Sequence, residues 1–188
     1  MLKNQINNAL EVLKDGGIIL YPTDTLWGIG CDATNPQAVQ KIIDLKQRKA
    51  YKSFIVLLDT ENKLPSYVNT VPEIAYDLIE FAENPLTIIY SGAKNLASNV
   101  IAADGSVGIR IIKHEFCSHL IQRFRKPIVS TSANISGETT PLIFTNINPK
   151  IINIVDYVVD LEQDNMEHKN QSTIMKLDAD GRFEFIRK

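Results

Sequence analysis

The stretch from Gly17 to Gly30, Gly-Ile-Ile-Leu-Tyr-Pro-Thr-Asp-Thr-Leu-Trp-Gly-Ile-Gly, constrains this 188-residue chain more than any other. Its first part is a continuous apolar run bounded by glycine and proline, the pattern of a buried strand. Pro22 has no amide hydrogen with which to continue a ladder, so the strand has to stop there. The residues that follow, Thr23, Asp24 and Thr25, form a tight polar segment displayed at a strand end, where open α/β sheets bind their ligands.

Elsewhere helical and strand patterns alternate. Ile6, Ala9, Leu10 and Leu13 recur at helical spacing, which predicts a surface helix over the first fourteen residues, ended by Gly16-Gly17. Asn35 followed by Pro36 is an N-cap with proline at the first helical position, opening a helix that runs to about Arg48. Further strands are expected at 54–58, 86–90, 107–112, 127–132, 172–177 and 183–186, the last two joined through Asp180-Gly181. Helices are expected after Pro72 and over about 115–125, a brief helix within 92–99, an Asn- and Pro-rich stretch at 139–153, and strand-like sequence at 154–161. Such alternation, closed by a hairpin, predicts a mixed sheet covered by helices.

Composition removes several classes. A chain of 188 residues suits one well-buried core, and a net charge of -2 makes no global case for nucleic-acid binding. The two cysteines, Cys31 and Cys117, suit a reducing compartment and imply neither a disulfide framework nor a zinc site. No apolar run approaches the length of a membrane span, and the first residues lack the pattern of a signal peptide. The expectation is a cytoplasmic protein. There is no P-loop and no nucleophile elbow, and His114, His119 and His168 lack metal-ligand spacing. Gly28-x-Gly30-x-x-Ala33 imitates a dinucleotide fingerprint, but no helix is expected to start at its third position.

Three groups could carry chemistry. Lys46, Arg48 and Lys52 close the segment that begins at the polar strand end; they either complement a helix dipole in water or clamp phosphates. Ser130-Thr-Ser132-Ala-Asn134, with Ser136-Gly137 beyond, is either turn-forming sequence or a dense set of donors for a triphosphate or a sugar. Arg110 stands among Val107, Ile109, Ile111 and Ile112, so it lies at an exposed edge or is held by an anion.

Together Tyr21 to Asp32, Lys46-Gln47-Arg48, Gly108-Ile109-Arg110, Ser130 to Gly137 and Ser172-Thr173-Ile174 resemble the successive motifs of the Sua5/YrdC/YciO family, in the family's order and from about residue 5 to Arg187. The pairs Lys46/Arg48 and Ser132/Asn134 are similar to the branch that makes threonylcarbamoyl-AMP, and a YciO-like branch departs from them. The resemblance implies an α/β, three-layer YrdC-like fold: a twisted mixed β-sheet flanked by helices, with a concave ligand-binding surface. It also implies one domain over 1–188 of the short YrdC type, since longer Sua5 proteins add a C-terminal domain. The implied enzyme is a nucleotidyltransferase that joins L-threonine, bicarbonate and ATP, releases pyrophosphate, and feeds N6-threonylcarbamoyladenosine (t6A) formation in tRNA.

Carried over by position, Thr25, Arg110 and Ser130 would face threonine. Arg48, Lys52, Ser106, Ser132, Asn134 and Thr140 would face ATP, with Lys46 near the same phosphates and Ser172 and Arg187 closing over the nucleotide. Lys46, Arg48, Ser132 and Asn134 form the implied catalytic set. ATP would enter as substrate with Mg2+ on its triphosphate, and no side chain is assigned to a metal. Implied partners are tRNA or double-stranded RNA and the downstream t6A transferase proteins, with no membrane. The family often has proline after the positions of Arg48 and Lys52, and its long-form members have histidine where Leu57 stands. An RNA-binding module and a YciO-like paralogue are the competing readings.

Overall fold

The computed structural model describes residues 1–47, 54–167 and 170–188. The strands are β1 (Ile19–Tyr21), β2 (Gly28–Gly30), β3 (Ile55–Leu58), β4 (Leu86–Tyr90), β5 (Val107–Ile111), β6 (Ile128–Ser132), β7 (Tyr157–Val158), β8 (Thr173–Leu177) and β9 (Phe183–Arg187). The α-helices are α1 (Leu2–Lys14), α2 (Pro36–Leu45), α3 (Leu64–Tyr67), α4 (Ile74–Glu80), α5 (Glu115–Phe124) and α6 (Pro149–Ile154). All nine strands join one mixed sheet in the order β7-β1-β2-β6-β3-β5-β4-β8-β9. The β1/β7, β3/β5 and β4/β8 pairs are parallel and the others antiparallel.

Successive strand side chains point to opposite faces, and here each face has its own core. On one side α1 and α5 bring Ile6, Leu10, Phe116, Leu120 and Ile121 onto Ile19, Tyr21, Leu57 and Ile128. On the other, Val39 and Ile42 of α2, Leu64 of α3, Ala75 of α4 and Ile151 of α6 pack with Leu20, Val56, Ile109 and Val129. The expected three layers of helix, sheet and helix are the result. Among the described residues no helix is long and apolar enough to cross a membrane.

Several boundaries follow the sequence signals. The Asn35 side chain accepts from the Gln37 and Ala38 amides at 3.0 and 3.2 Å, with Pro36 at the first turn. The last hairpin closes where Asp178 O accepts from Gly181 N at 3.0 Å, with Gly181 at φ +87°.

Other expectations need correction. The polar segment after β1 is the loop of a β-hairpin, because Gly28–Gly30 returns as β2 with Tyr21 opposite Gly28. Gly30 has to be glycine: a Cβ there would lie 2.5 Å from Val129 O and 2.7 Å from Tyr21 Cε1. The glycine pair thus serves close strand approach, and no dinucleotide loop is formed. Helix α2 ends at Leu45, short of Arg48, with Gln47 at φ 49° turning the chain out of the helix. The 92–99 segment holds no helix, since Gly92 at φ +72° and Asn95 at φ 55° sit in left-handed backbone incompatible with a right-handed turn. Within 154–161 only Tyr157–Val158 is strand. The preceding Asn148-Pro149 starts α6, with the Asn148 side chain accepting from Lys150 N at 3.0 Å, the same capping device as Asn35-Pro36.

Candidate functional site

The same alternation that buries Leu57 and Ile128 beneath α1 and α5 places Ser130, Ser132, Arg110 and Thr87 on the same face, on the part those helices leave uncovered. Register carries the band across the sheet. Gly28 lies opposite Ser132, Ser130 opposite Ile55, Arg110 opposite Thr87, Thr87 opposite Ile174, and Ile174 opposite Arg187. The result is a hollow of about 480 Å³ that gathers Thr25, Lys46, Arg110, Ser130, Ser132, Asn134, Thr140, Ser172 and Arg187.

Two sequence-predicted residues, Arg48 and Lys52, lie outside the described residues. Ser106 does not line the hollow; its hydroxyl donates to Asp104 Oδ1 at 2.6 Å, which holds the Asp104 carboxyl below the usual range. Trp27, Ile55, Glu138 and Gln171 line it without having been singled out by the sequence. Nothing local flags Ile55, which reaches the hollow through the β3/β6 register that sets it opposite Ser130.

The loop from Pro22 to Trp27 is held by its own hydroxyls. Thr23 Oγ1 donates to Leu26 O at 2.7 Å, accepts from Thr25 N at 3.1 Å, and lies 3.0 Å from Thr25 Oγ1. Across the hollow, Thr87 Oγ1 and Ser172 Oγ are 2.9 Å apart. Arg187 donates from Nε and Nη2 to Ser172 O at 3.1 and 2.8 Å, and from Nη1 to the Gln171 side chain.

Arg110 is the cation at the centre, only 4% exposed. Its Nη2 lies 3.2 Å from Asp24 Oδ1, inside ion-pair range but misaligned for a hydrogen bond, and its buried Nε has no acceptor among the described residues. A buried donor left unpaired is costly unless something fills the place. Burial, and then the charge of Arg110, pulls the Arg187 guanidinium below its ordinary pKa. Two guanidiniums that repel each other beside hydroxyl donors make a receptor for carboxylate or phosphate oxygens.

The far wall is the turn after β6. Ser132 Oγ donates to Asn134 Oδ1 at 2.5 Å, and Asn134 Nδ2 donates to Ile135 O and Glu138 O at 3.0 and 2.8 Å. Lys46 faces the same turn and is 2% exposed, so it is not a solvated helix-end cation. Its Nζ donates to Ser132 O and Asn134 O, each at 2.5 Å.

The described residues lining the hollow include neither cysteine nor histidine. Cys31 and Cys117 are buried, and burial pushes the Cys31 thiol up. Among the described residues no group of three His, Cys, Asp or Glu converges on a metal site. The arrangement is built to bind and orient anions, and among the described residues it places no thiol or imidazole at the hollow.

The chain is similar to known proteins in sequence and in fold. The Sua5/YciO/YrdC family, which carries the description "Telomere recombination", matches residues 11–188. The threonylcarbamoyl-AMP synthase of Pseudoalteromonas translucida is 33% identical over 161 residues, covering 84% of this chain and 86% of its own. That of Psychromonas ingrahamii is 35% identical over 149 residues, 78% of each chain. The crystal structure of P. abyssi Sua5 complexed with L-threonine superposes with a TM-score of 0.81 at 25% identity, over 92% of this chain and 50% of the Sua5 chain. By the match of its own sequence and by its fold, the chain belongs to the Sua5/YciO/YrdC family.

Proposed function

We propose that the protein is a threonylcarbamoyl-AMP synthase, a nucleotidyltransferase that converts L-threonine, bicarbonate and ATP to threonylcarbamoyl-AMP and pyrophosphate for t6A formation in tRNA, working in the cytoplasm. The observation that carries the reading is the buried Arg110 Nε without an acceptor among the described residues, at the centre of a hydroxyl-lined hollow with a second guanidinium nearby. A threonine carboxylate would complete Arg110, with Thr25 and Ser130 beside it. The triphosphate would lie toward Ser132, Thr140, Ser172 and Arg187, with Arg48 and Lys52 supplying further charge.

In the reaction the threonine amine captures bicarbonate, losing water, to give a carbamate. One carbamate oxygen then attacks the α-phosphorus and pyrophosphate leaves. Negative charge builds on non-bridging and leaving oxygens, so fixed cations and hydroxyl donors stabilise the transition state without a covalent intermediate. The described residues form no metal cage, and we assign Mg2+ to the triphosphate itself, with no step depending on a protein ligand to it. The product would pass to the t6A transferase proteins.

Pyrophosphate release by the purified protein tests the reading. It should require threonine and bicarbonate together and be lost in Arg110→Ala. Equal ATP hydrolysis with and without threonine would overturn it.

A further inference from the structure

Lys46 stands where a phosphate ligand is implied, yet its surroundings point to another task. It is the residue directly after α2, it is buried, and its ammonium donates to the main-chain carbonyls of Ser132 and Asn134, both at 2.5 Å. Its own carbonyl accepts from Ser136 N at 3.0 Å. One residue therefore grips both ends of the turn after β6. Between the grips, Asn134 N donates to Ser132 O at 2.9 Å and Ser132 Oγ donates to Asn134 Oδ1. An ammonium out of water needs oxygen acceptors, and charged hydrogen bonds of this kind are the strong ones.

We infer that Lys46 is a positioning residue: it fastens the end of α2 to the Ser132–Ser136 turn and so holds the Ser132 hydroxyl and the Asn134 side chain at the wall of the hollow. What that wall then grips, the ATP phosphates, rests on the synthase reading above. The staple itself is a property of the ligand-free protein.

The test compares Lys46→Met with the wild type in two ways. In amide hydrogen exchange without ligand, Asn134 and Ser136 should exchange about tenfold faster or more, the effect of losing one charged hydrogen bond. The amides of β4 and β5 should keep their rates. Unchanged exchange at Asn134 and Ser136 overturns the inference, and so does equal acceleration everywhere. Lys46→Gln, which keeps a neutral donor for one carbonyl, is measured alongside in case the methionine variant does not fold, and is read by the same criteria.

In a double-mutant cycle on the KM for ATP, Lys46→Met and Ser132→Ala should be non-additive, because Lys46 acts through the turn that carries Ser132. Additive effects would mean an independent phosphate contact and overturn it. The exchange arm needs no substrate. A wild-type protein without threonine-dependent turnover would end the synthase reading, while the exchange rates at Asn134 and Ser136 would still decide whether Lys46 is the staple.

Discussion

Replacing Arg110 with methionine should separate the cost of the site from its use. Arg110 is 4% exposed, its Nε has no acceptor among the described residues, and its contact with Asp24 at 3.2 Å is poorly aligned. An unsatisfied buried donor costs about 1–3 kcal/mol, and repulsion from Arg187 adds to that. Against this, Asp24 Oδ2 keeps the Lys113 amide, at 3.3 Å, once the arginine is gone. Swapping a buried ion pair for apolar groups is neutral or stabilising by about 1–4 kcal/mol, whereas stripping one partner from a good pair costs about 3–5 kcal/mol. Because the pair here is misaligned, Arg110→Met alone should stay within about 1 kcal/mol of wild type, and Arg110→Met with Asp24→Asn should match or exceed it. Activity should behave differently: losing two charged hydrogen bonds to the threonine carboxylate, at about 1.5–3 kcal/mol each, lowers kcat/KM for threonine by roughly 10²–10⁴-fold. Urea unfolding without ligand, paired with pyrophosphate release, makes both measurements. An Arg110→Met variant about 3 kcal/mol or more less stable than wild type, with stability restored by adding Asp24→Asn, would show Arg110 to be a structural ion-pair member, and the reasoning would fail.

Other residues give sharper local tests. Gly30→Ala should destabilise by about 1–3 kcal/mol, since its methyl would sit 2.5 Å from the backbone oxygen of Val129 and 2.7 Å from Tyr21 Cε1; thermal and urea melts check this. Ser106→Ala should return the Asp104 carboxyl from its lowered value toward the ordinary range, followed by carbon NMR titration. With the folded value depressed, the Asp104–Ser106 contact stabilises above the unfolded carboxylate range and is lost as pH falls through the folded value, so the variant should lose stability at neutral pH and none in strong acid. Cys31 and Cys117, both buried, should resist Ellman's reagent in the folded protein and react fully in denaturant.

The residues of the site were more legible than their arrangement. Strands rich in Ile and Val, the Asn35-Pro36 cap and the Asp180-Gly181 turn announce their structures locally, and Arg110 was conspicuous because a guanidinium has no business among Val107, Ile109 and Ile112 without an anion. Strand β2 was not legible, because glycine disfavours strands in isolation; what places Gly28–Gly30 in the sheet is pairing on both sides, with β1 across the hairpin and with β6, a neighbour about a hundred residues downstream. Helix α6 differs: its Asn148-Pro149 start is a local signal like Asn35-Pro36, masked by the irregular composition of the stretch around it.

Lys46 shows why spacing can find a functional cation without saying what it does. A lysine directly after a helix can face water and answer the dipole, reach a phosphate, or turn inward. Nothing within a few residues distinguishes these outcomes. The choice falls to two carbonyls 86 and 88 positions away, whose direction is set by how β6 ends and by Asn134 spending its amide donors on Ile135 O and Glu138 O. Once those carbonyls point at α2, a buried ammonium is the group that reaches both, and an apolar residue of the same length would take the charged donor from Asn134 O and leave Ser132 O with Asn134 N. The lysine and the Ser-x-Asn motif are therefore two ends of one contact, and a change at either should be felt as a change in the other.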